Sequence, residues 1–364
     1  MTHDHGVALE LDALKQTHPI EVEVNHPEEI SEIFDKVSYS KGACIIRMLA
    51  EYLGEENFRK GLSHYLKKYS FGNAETKHLW QSLEEVSKRP VRKIMKDWTE
   101  QAGYPLVSVS EKDGKLILEQ SRFFSSSISE RQSKDKTLWH IPIKSFLFDK
   151  KNAILPASGV SAYLKLNTGE TGFFRTSYPK EILRSFIEPI KKKAFVPIDR
   201  LGIIRDAFAL LGVGKMKMEN VLDLASNYTE EGDYTVWTEI SLGLSSISSL
   251  LPAGKLKERY RELAKNIFMI IAKKLGWEKK AGEKHTDTLL RSLVLQNLGL
   301  YGDENTIERA RIIFSDFIEK EISIDPDIRG AVYILAGRYG GKKEYQKFIE
   351  MYKKETLQEK KNRI

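Results

Sequence analysis

The spacing of apolar residues changes twice along this chain, and that double switch excludes both a single sheet and a uniform helical repeat. Up to about residue 103, apolar residues recur at steps of three and four. Over residues 104–180 they alternate with polar ones, and over 181–364 the helical spacing returns. A period near 3.6 gives a helix one apolar stripe, and a period of two gives a strand one apolar face. The pattern predicts a multidomain α+β protein divided at 1–103, 104–180 and 181–364.

Within the first part, HPIEVEVNHP (18–27) alternates Ile20, Val22 and Val24 with Glu21 and Glu23, which predicts one short strand. From Asp35 to Leu53, the residues Tyr39, Ala43, Ile46, Ala50 and Leu53 fall on one helical stripe, and Gly54 supplies a stop. Further helices are predicted over Asn57–Tyr69, Thr76–Val86 with Thr76 as the cap, and Val91–Gln101.

The middle part has five alternating runs: LVSVS (106–110), KLILEQSRF (115–123), WHIPIKSFLF (139–148), AYLKLN (162–167) and GFFRTSY (172–178). Turn residues such as Asp113-Gly114 separate them, and a small β-sandwich is the simplest product. Residues 125–136 are polar and without period, which predicts an exposed loop. In the last part, amphipathic segments at 199–212, 236–251, 255–276, 285–302, 305–320 and 328–340 predict a HEAT-like helical array. The closing run KKEYQKFIEMYKKETLQEKKNRI shows neither a helix stop nor a capping repeat, so the array is expected to be truncated there.

Composition narrows the function classes. No apolar run approaches the ~20 residues needed to span a bilayer, and the opening MTHDHGVALELDALK lacks the pattern of a secretory signal. The 58 basic and 51 acidic residues are interleaved, so no face is expected to hold nucleic acid. The lone cysteine, Cys44, excludes an intrachain disulfide; it reads as a buried thiol. A cytoplasmic protein is the expectation.

Chemical signatures are sparse. The eight histidines include no HExxH pair, which would set two ligands one helical turn apart. His3-Asp4-His5 reads as a mobile terminus. There is no GxSxG elbow and no phosphate-binding glycine loop. These residues predict no metal and no cofactor in this chain. Taken by its spacing alone, Tyr39 reads as a core residue.

The block IFDKVSYSKGACIIRML (33–49), entered from HPIEVEVNHPEEI (18–30), resembles the end of the catalytic domain in the aminopeptidase N family of zinc metallopeptidases, which includes the archaeal tricorn-protease-interacting factors. Further segments resemble the family in order: FGNAETKHLWQSLEEVSKRPV (71–91), LNTGETGFFRTSY (166–178) and IDRLGIIRDAFALLGVGKM (198–216). The resemblance implies that 1–103 is the helical remnant of a thermolysin-like catalytic domain, followed by the sandwich and a superhelical domain. It implies that Tyr39 donates a hydrogen bond to the oxyanion of the tetrahedral intermediate. A phenol donates at neutral pH, and losing one such donor typically costs ~10²- to 10³-fold in rate.

The family's HExxH and GxMEN motifs lie upstream of this block, and only 17 residues precede His18. The full-length family enzyme is expected to carry zinc and to cleave N-terminal amino acids from peptides. This chain is expected to be inactive alone, with a peptide substrate and a complementary N-terminal catalytic half as its partners. The alternative is a non-catalytic peptide- or protein-binding scaffold derived from the same family.

Overall fold

A computed structural model describes residues 2–143, 146–156 and 164–363. The chain packs as two compact units. The first is Met1–Pro189 with Ile198–Leu222, and the second is Ile190–Pro197 with Asp223–Ile364. The protein is mostly helical with a small sheet, in keeping with a multidomain α+β class.

The first unit opens with helix Thr2–Leu11, so the expected mobile terminus is corrected. The backbone of residues 2–11 is helical, and His5 and Leu9 are buried. Residues 18–26 form no strand; the backbone bond from Glu21 N–H to Thr99 O at 2.8 Å tethers them. Alternation alone makes no strand where no neighbouring edge offers a ladder. Helices Gly42–Leu53, Glu55–Lys68, Thr76–Ser87 and Val91–Glu100 follow. The third starts at Thr76, but Glu75 rather than Thr76 is the capping position: Glu75 N–H donates to His78 Nδ1 at 3.0 Å, and His78 N–H donates to Glu75 O at 2.9 Å.

Six strands are described: β1 (Pro105–Lys112), β2 (Lys115–Arg122), β3 (Ile141–Ile143), β4 (Phe146–Phe148), β5 (Asn152–Pro156) and β6 (Arg175–Ser177). The larger sheet has the order β5-β2-β1-β6, antiparallel except for β1 with β6, and β3 pairs with β4 separately. The β1–β2 turn places both Asp113 (φ 52°) and Gly114 (φ 68°) in the left-handed region, as a tight two-residue hairpin needs. The run 139–148 forms two short strands rather than one. Of the expected strand at 162–167, residues 162 and 163 lie outside the described residues, and 164–167 are irregular. The expected loop at 125–136 contains helix Ser127–Gln132, because the Ser126 side chain accepts from Ser129 N–H and caps it.

The first core is aromatic where helix meets sheet. Trp98 lies 6.3 Å from Trp139 and 6.5 Å from Phe173, and Phe173 lies 5.3 Å from Tyr104, by ring centroids. Indole Nε1–H of Trp98 donates to His140 O at 2.8 Å, so the polar atom of the buried ring is satisfied.

The second unit is built from helices Tyr234–Leu250, Lys255–Leu275, His285–Leu300, Glu304–Lys320, Arg329–Tyr339 and Lys342–Lys354. Asp233 and Asp303 cap the first and fourth of these. Helix His285–Leu300 packs closely on Arg329–Tyr339: a Cβ at Gly299 would stand 2.5 Å from Leu335 Cδ2. The closing run does contain a stop. Its helix ends at Lys354, and the Glu355 side chain then accepts the Thr356 and Leu357 N–H groups. No helix among the described residues is long and apolar enough to cross a membrane.

Candidate functional site

Tyr39 sits in a wide π turn, Val37–Lys41, at the head of helix Gly42–Leu53. Asp35 starts the turn. Its Oδ1 accepts the N–H of Val37 at 2.8 Å and of Ser38 at 3.0 Å, and its Oδ2 meets His18 Nε2 at 3.1 Å. Burial pushes the Asp35 carboxyl up, but the Ser38 amide, His18 and the Val37 amide outweigh it and hold the group below its ordinary value. Ser38 Oγ donates to Ile33 O at 2.6 Å, and Tyr39 N–H donates to Asp35 O at 3.2 Å.

The expected burial of Tyr39 is corrected. It is 57% exposed, and its ring meets the edge of Phe34, itself 69% exposed, with centroids 4.8 Å apart. Of the expected stripe, Tyr39 and Ala43 are exposed, Ile46 and Ala50 are half-buried, and Leu53 is buried. The inner side carries Val37, Cys44, Ile45, Met48, Leu49 and Leu53, all buried. Both faces are apolar, and burial goes to the one with the greater aliphatic volume. A tyrosine on that outer face is available to a ligand.

The other end of the turn is anchored by a charge. Lys41 and Asp12 are both fully buried, and Nζ lies 2.8 Å from Asp12 Oδ2. The ammonium also donates to Gly103 O at 3.1 Å and Gln101 O at 3.4 Å. Asp12 Oδ1 accepts from Thr17 Oγ1 at 2.9 Å and Gly103 N–H at 3.0 Å. Burial pulls the Lys41 ammonium below its ordinary value, against the pull of Asp12. One helical turn and a half further on, Arg47 donates to Gly169 O at 2.8 Å and Glu170 O at 3.0 Å.

Those carbonyls belong to a second buried cluster. Lys165 Nζ lies 2.5 Å from Glu170 Oε1 and 3.4 Å from Asp199 Oδ1. Burial opposes the Lys165 charge, yet Glu170, Tyr178 and Asp199 together raise it above its ordinary value. A third pair, Arg175 with Asp206 at 3.1 Å, ties β6 to helix Pro197–Gly212, and Arg175 Nε donates to Tyr104 Oη.

Most histidines are engaged in the structure. His5 Nε2 meets Gly172 O, His64 pairs with Glu85, His78 accepts from Glu75 N–H, and His140 pairs with Asp97. Among the described residues no three or more His, Cys, Asp or Glu side chains converge as metal ligands. Zinc, which the resemblance implies for the full-length enzyme, finds no seat in them. Cys44 is buried, and burial pushes its thiol up to about 11. Sequence reasoning missed Asp12, Asp35, Lys41 and Arg47. The one visible signal was Lys41, a cation between Val37 and Cys44 on what proves to be the buried side.

The ERAP1-like C-terminal domain model matches residues 163–364, and the Peptidase family M1 domain model matches residues 1–98. Aminopeptidase M1-A of Oryza sativa subsp. japonica is 38% identical over 384 residues, covering 98% of this chain and 43% of the relative. Puromycin-sensitive aminopeptidase of Caenorhabditis elegans is 36% identical, over 96% of this chain and 39% of the relative. Tricorn protease-interacting factor F2 of Thermoplasma volcanium is 35% identical, over 93% and 41%. The chain thus spans about two-fifths of the length of the curated relatives it matches.

Proposed function

This chain belongs to the M1 peptidases, with the ERAP1-like C-terminal domain as its larger part, and we propose that it serves as the C-terminal portion of a zinc aminopeptidase. In this reading Tyr39 donates its phenolic hydrogen to the oxyanion that forms when the scissile carbonyl of a peptide is attacked. In the same reading the helical second unit is a HEAT-like superhelix and the strands of the first unit form a sandwich domain. The zinc ligands would come from a complementary N-terminal catalytic half, and the assembly would work in the cytoplasm.

The observation that carries the reading is the outward phenol. A core tyrosine would be enclosed, whereas Tyr39 is more than half exposed on a turn braced at both ends. Val24, Ile30 and Phe34 are also exposed nearby in sequence, and a group of exposed apolar residues is what a partner's seat requires.

Hydrolysis of a leucyl-fluorophore, with added zinc, tests the proposal. The chain is assayed alone and mixed with the adjoining N-terminal polypeptide from the same source. The expected outcome is activity only in the mixture, with Tyr39→Phe lowering kcat by ~10²- to 10³-fold, the cost of one oxyanion donor. Binding of the two polypeptides without activity would favour a non-catalytic scaffold and overturn the proposal.

A further inference from the structure

Tyr39 has no side-chain hydrogen bond among those described, so its direction is set by the backbone that carries it. That backbone is unusual. A π turn is rare, occurs mostly as a single turn and is frequent at functional sites. Here it changes facing within three residues: Tyr39 points out, while Ser40 and Lys41 are buried. The next residue, Gly42, returns the chain to α geometry. Something must keep the turn in this phase, because the same residues in a regular α turn would satisfy their backbone equally well.

The buried lysine answers that need. An ammonium at zero exposure is tolerated only where its charge and hydrogens are matched. One counter-charge, Asp12 Oδ2, and two carbonyl acceptors, Gly103 O and Gln101 O, meet it. They come from the segment after helix Thr2–Leu11 and from the turn before β1, so a rotation of the π turn would pull Nζ from acceptors on separate segments. A buried ion pair contributes little net stability compared with apolar side chains of equal volume, but breaking one partner costs several kcal/mol. Its effect is therefore to penalise alternative registers rather than to strengthen the fold.

We propose that Lys41, through its buried ion pair with Asp12, is a positioning residue for Tyr39, holding the wide turn in the phase that presents the phenol outward. This rests on the reading of Tyr39 as the oxyanion donor, but it concerns geometry and can be tested without turnover. Fluorotyrosine is incorporated into the full chain, which has 15 tyrosines, and the Tyr39 fluorine resonance is identified by its loss in Tyr39→Phe. Tyr104, fully buried and bonded to Leu9 O at 2.8 Å, serves as the internal marker of an intact fold.

The informative variant is Lys41→Met/Asp12→Asn, which removes both charges together. The expected result is a Tyr39 line shifted or broadened beyond its wild-type width, with the Tyr104 line in place. An unchanged Tyr39 line in the folded double variant would overturn the proposal. Should the double variant lose the Tyr104 line, Asp12→Glu is read by the same criterion: it keeps both charges and moves the acceptor by one methylene. A shifted Tyr39 line together with full activity of Tyr39→Phe in the mixed assay would reject the catalytic reading and leave the positioning role standing.

Discussion

Replacing His5 by glutamine offers a quantitative check on the first unit. His5 is 3% exposed, stacks edge-on to Phe173 and meets Gly172 O through Nε2. Burial, then the charges of Arg205 and Arg175, depress its pKa from 6.5 to about 3. A depressed folded-state pKa contributes stability that is present above the unfolded value and is lost as pH falls towards the folded value. The full shift corresponds to about 5 kcal/mol at ~1.36 kcal/mol per unit. Between about pH 7 and about pH 4, integration of the linkage relation leaves a loss of about 3 kcal/mol. Other groups titrate in that interval, Asp206 among them: burial raises it to about 6, which acts with the opposite sign. Comparing wild type with His5→Gln at each pH cancels those groups, since glutamine does not titrate and retains a donor for Gly172 O. The assay is urea-dependent hydrogen exchange of helix Val91–Glu100, which reports the first unit. The variant is expected to be less stable near neutrality and to close the gap by about 3 kcal/mol near pH 4. A gap independent of pH would show that His5 is not held neutral, and would refute the packing of helix Thr2–Leu11 on which the argument depends.

Two further outcomes follow from the buried groups. Glu170→Ala strips Lys165 of its nearest counter-charge and is expected to cost ~3–5 kcal/mol in chemical denaturation. Gly202→Ala should approach the same loss, because its Cβ would stand 1.9 Å from Glu170 Oε1; a loss below ~1 kcal/mol for both would refute the cluster. Cys44, buried and with its thiol pushed up to about 11, should react with a disulfide reagent near neutral pH only as fast as the first unit opens, and a fast reaction in the native chain would contradict its burial.

What could be read in the sequence follows from how far each signal reaches along the chain. The long helices of the second unit were legible because their stripes repeat over several turns, as in Lys255–Leu275 and Glu304–Lys320. The β1–β2 hairpin was legible because Asp113-Gly114 is local turn chemistry. The run 18–27 looked like a strand, since alternation describes one strand's faces and says nothing about whether an edge is free to pair. Tyr39 could be picked out through family resemblance, but its facing could not. Helix Gly42–Leu53 has apolar residues on both sides, and the choice between them depends on residues distant in sequence, Leu9 and Trp98 among the same core. Asp12 and Lys41 stand 29 positions apart, with no local pattern to join them.

The distribution of buried charge explains why these non-local contacts matter. Among the described residues, buried ion pairs or clusters of the first unit include Asp12 with Lys41, Lys165 with Glu170 and Asp199, and Arg175 with Asp206. Each joins elements that apolar packing alone would also hold. Helix Gly42–Leu53 meets the 165–170 segment through Arg47, and that segment meets helix Pro197–Gly212 through Asp199 and the Gly169 N–H at 2.6 Å. Apolar contacts are non-directional, so they leave a helix free to slide or rotate by a fraction of a turn. In the role proposed for Tyr39, a rotation of that size would turn the phenol away from a reacting carbonyl, and misplacement by about 1 Å can cost ~10²-fold in rate. Hydrogen-bonded charges cannot follow such a movement without losing acceptors, and so they convert a stable but permissive core into one with a single register. The Lys41–Asp12 pair does this for the turn that carries Tyr39, and a variant that neutralises both partners should keep the fold while loosening that turn.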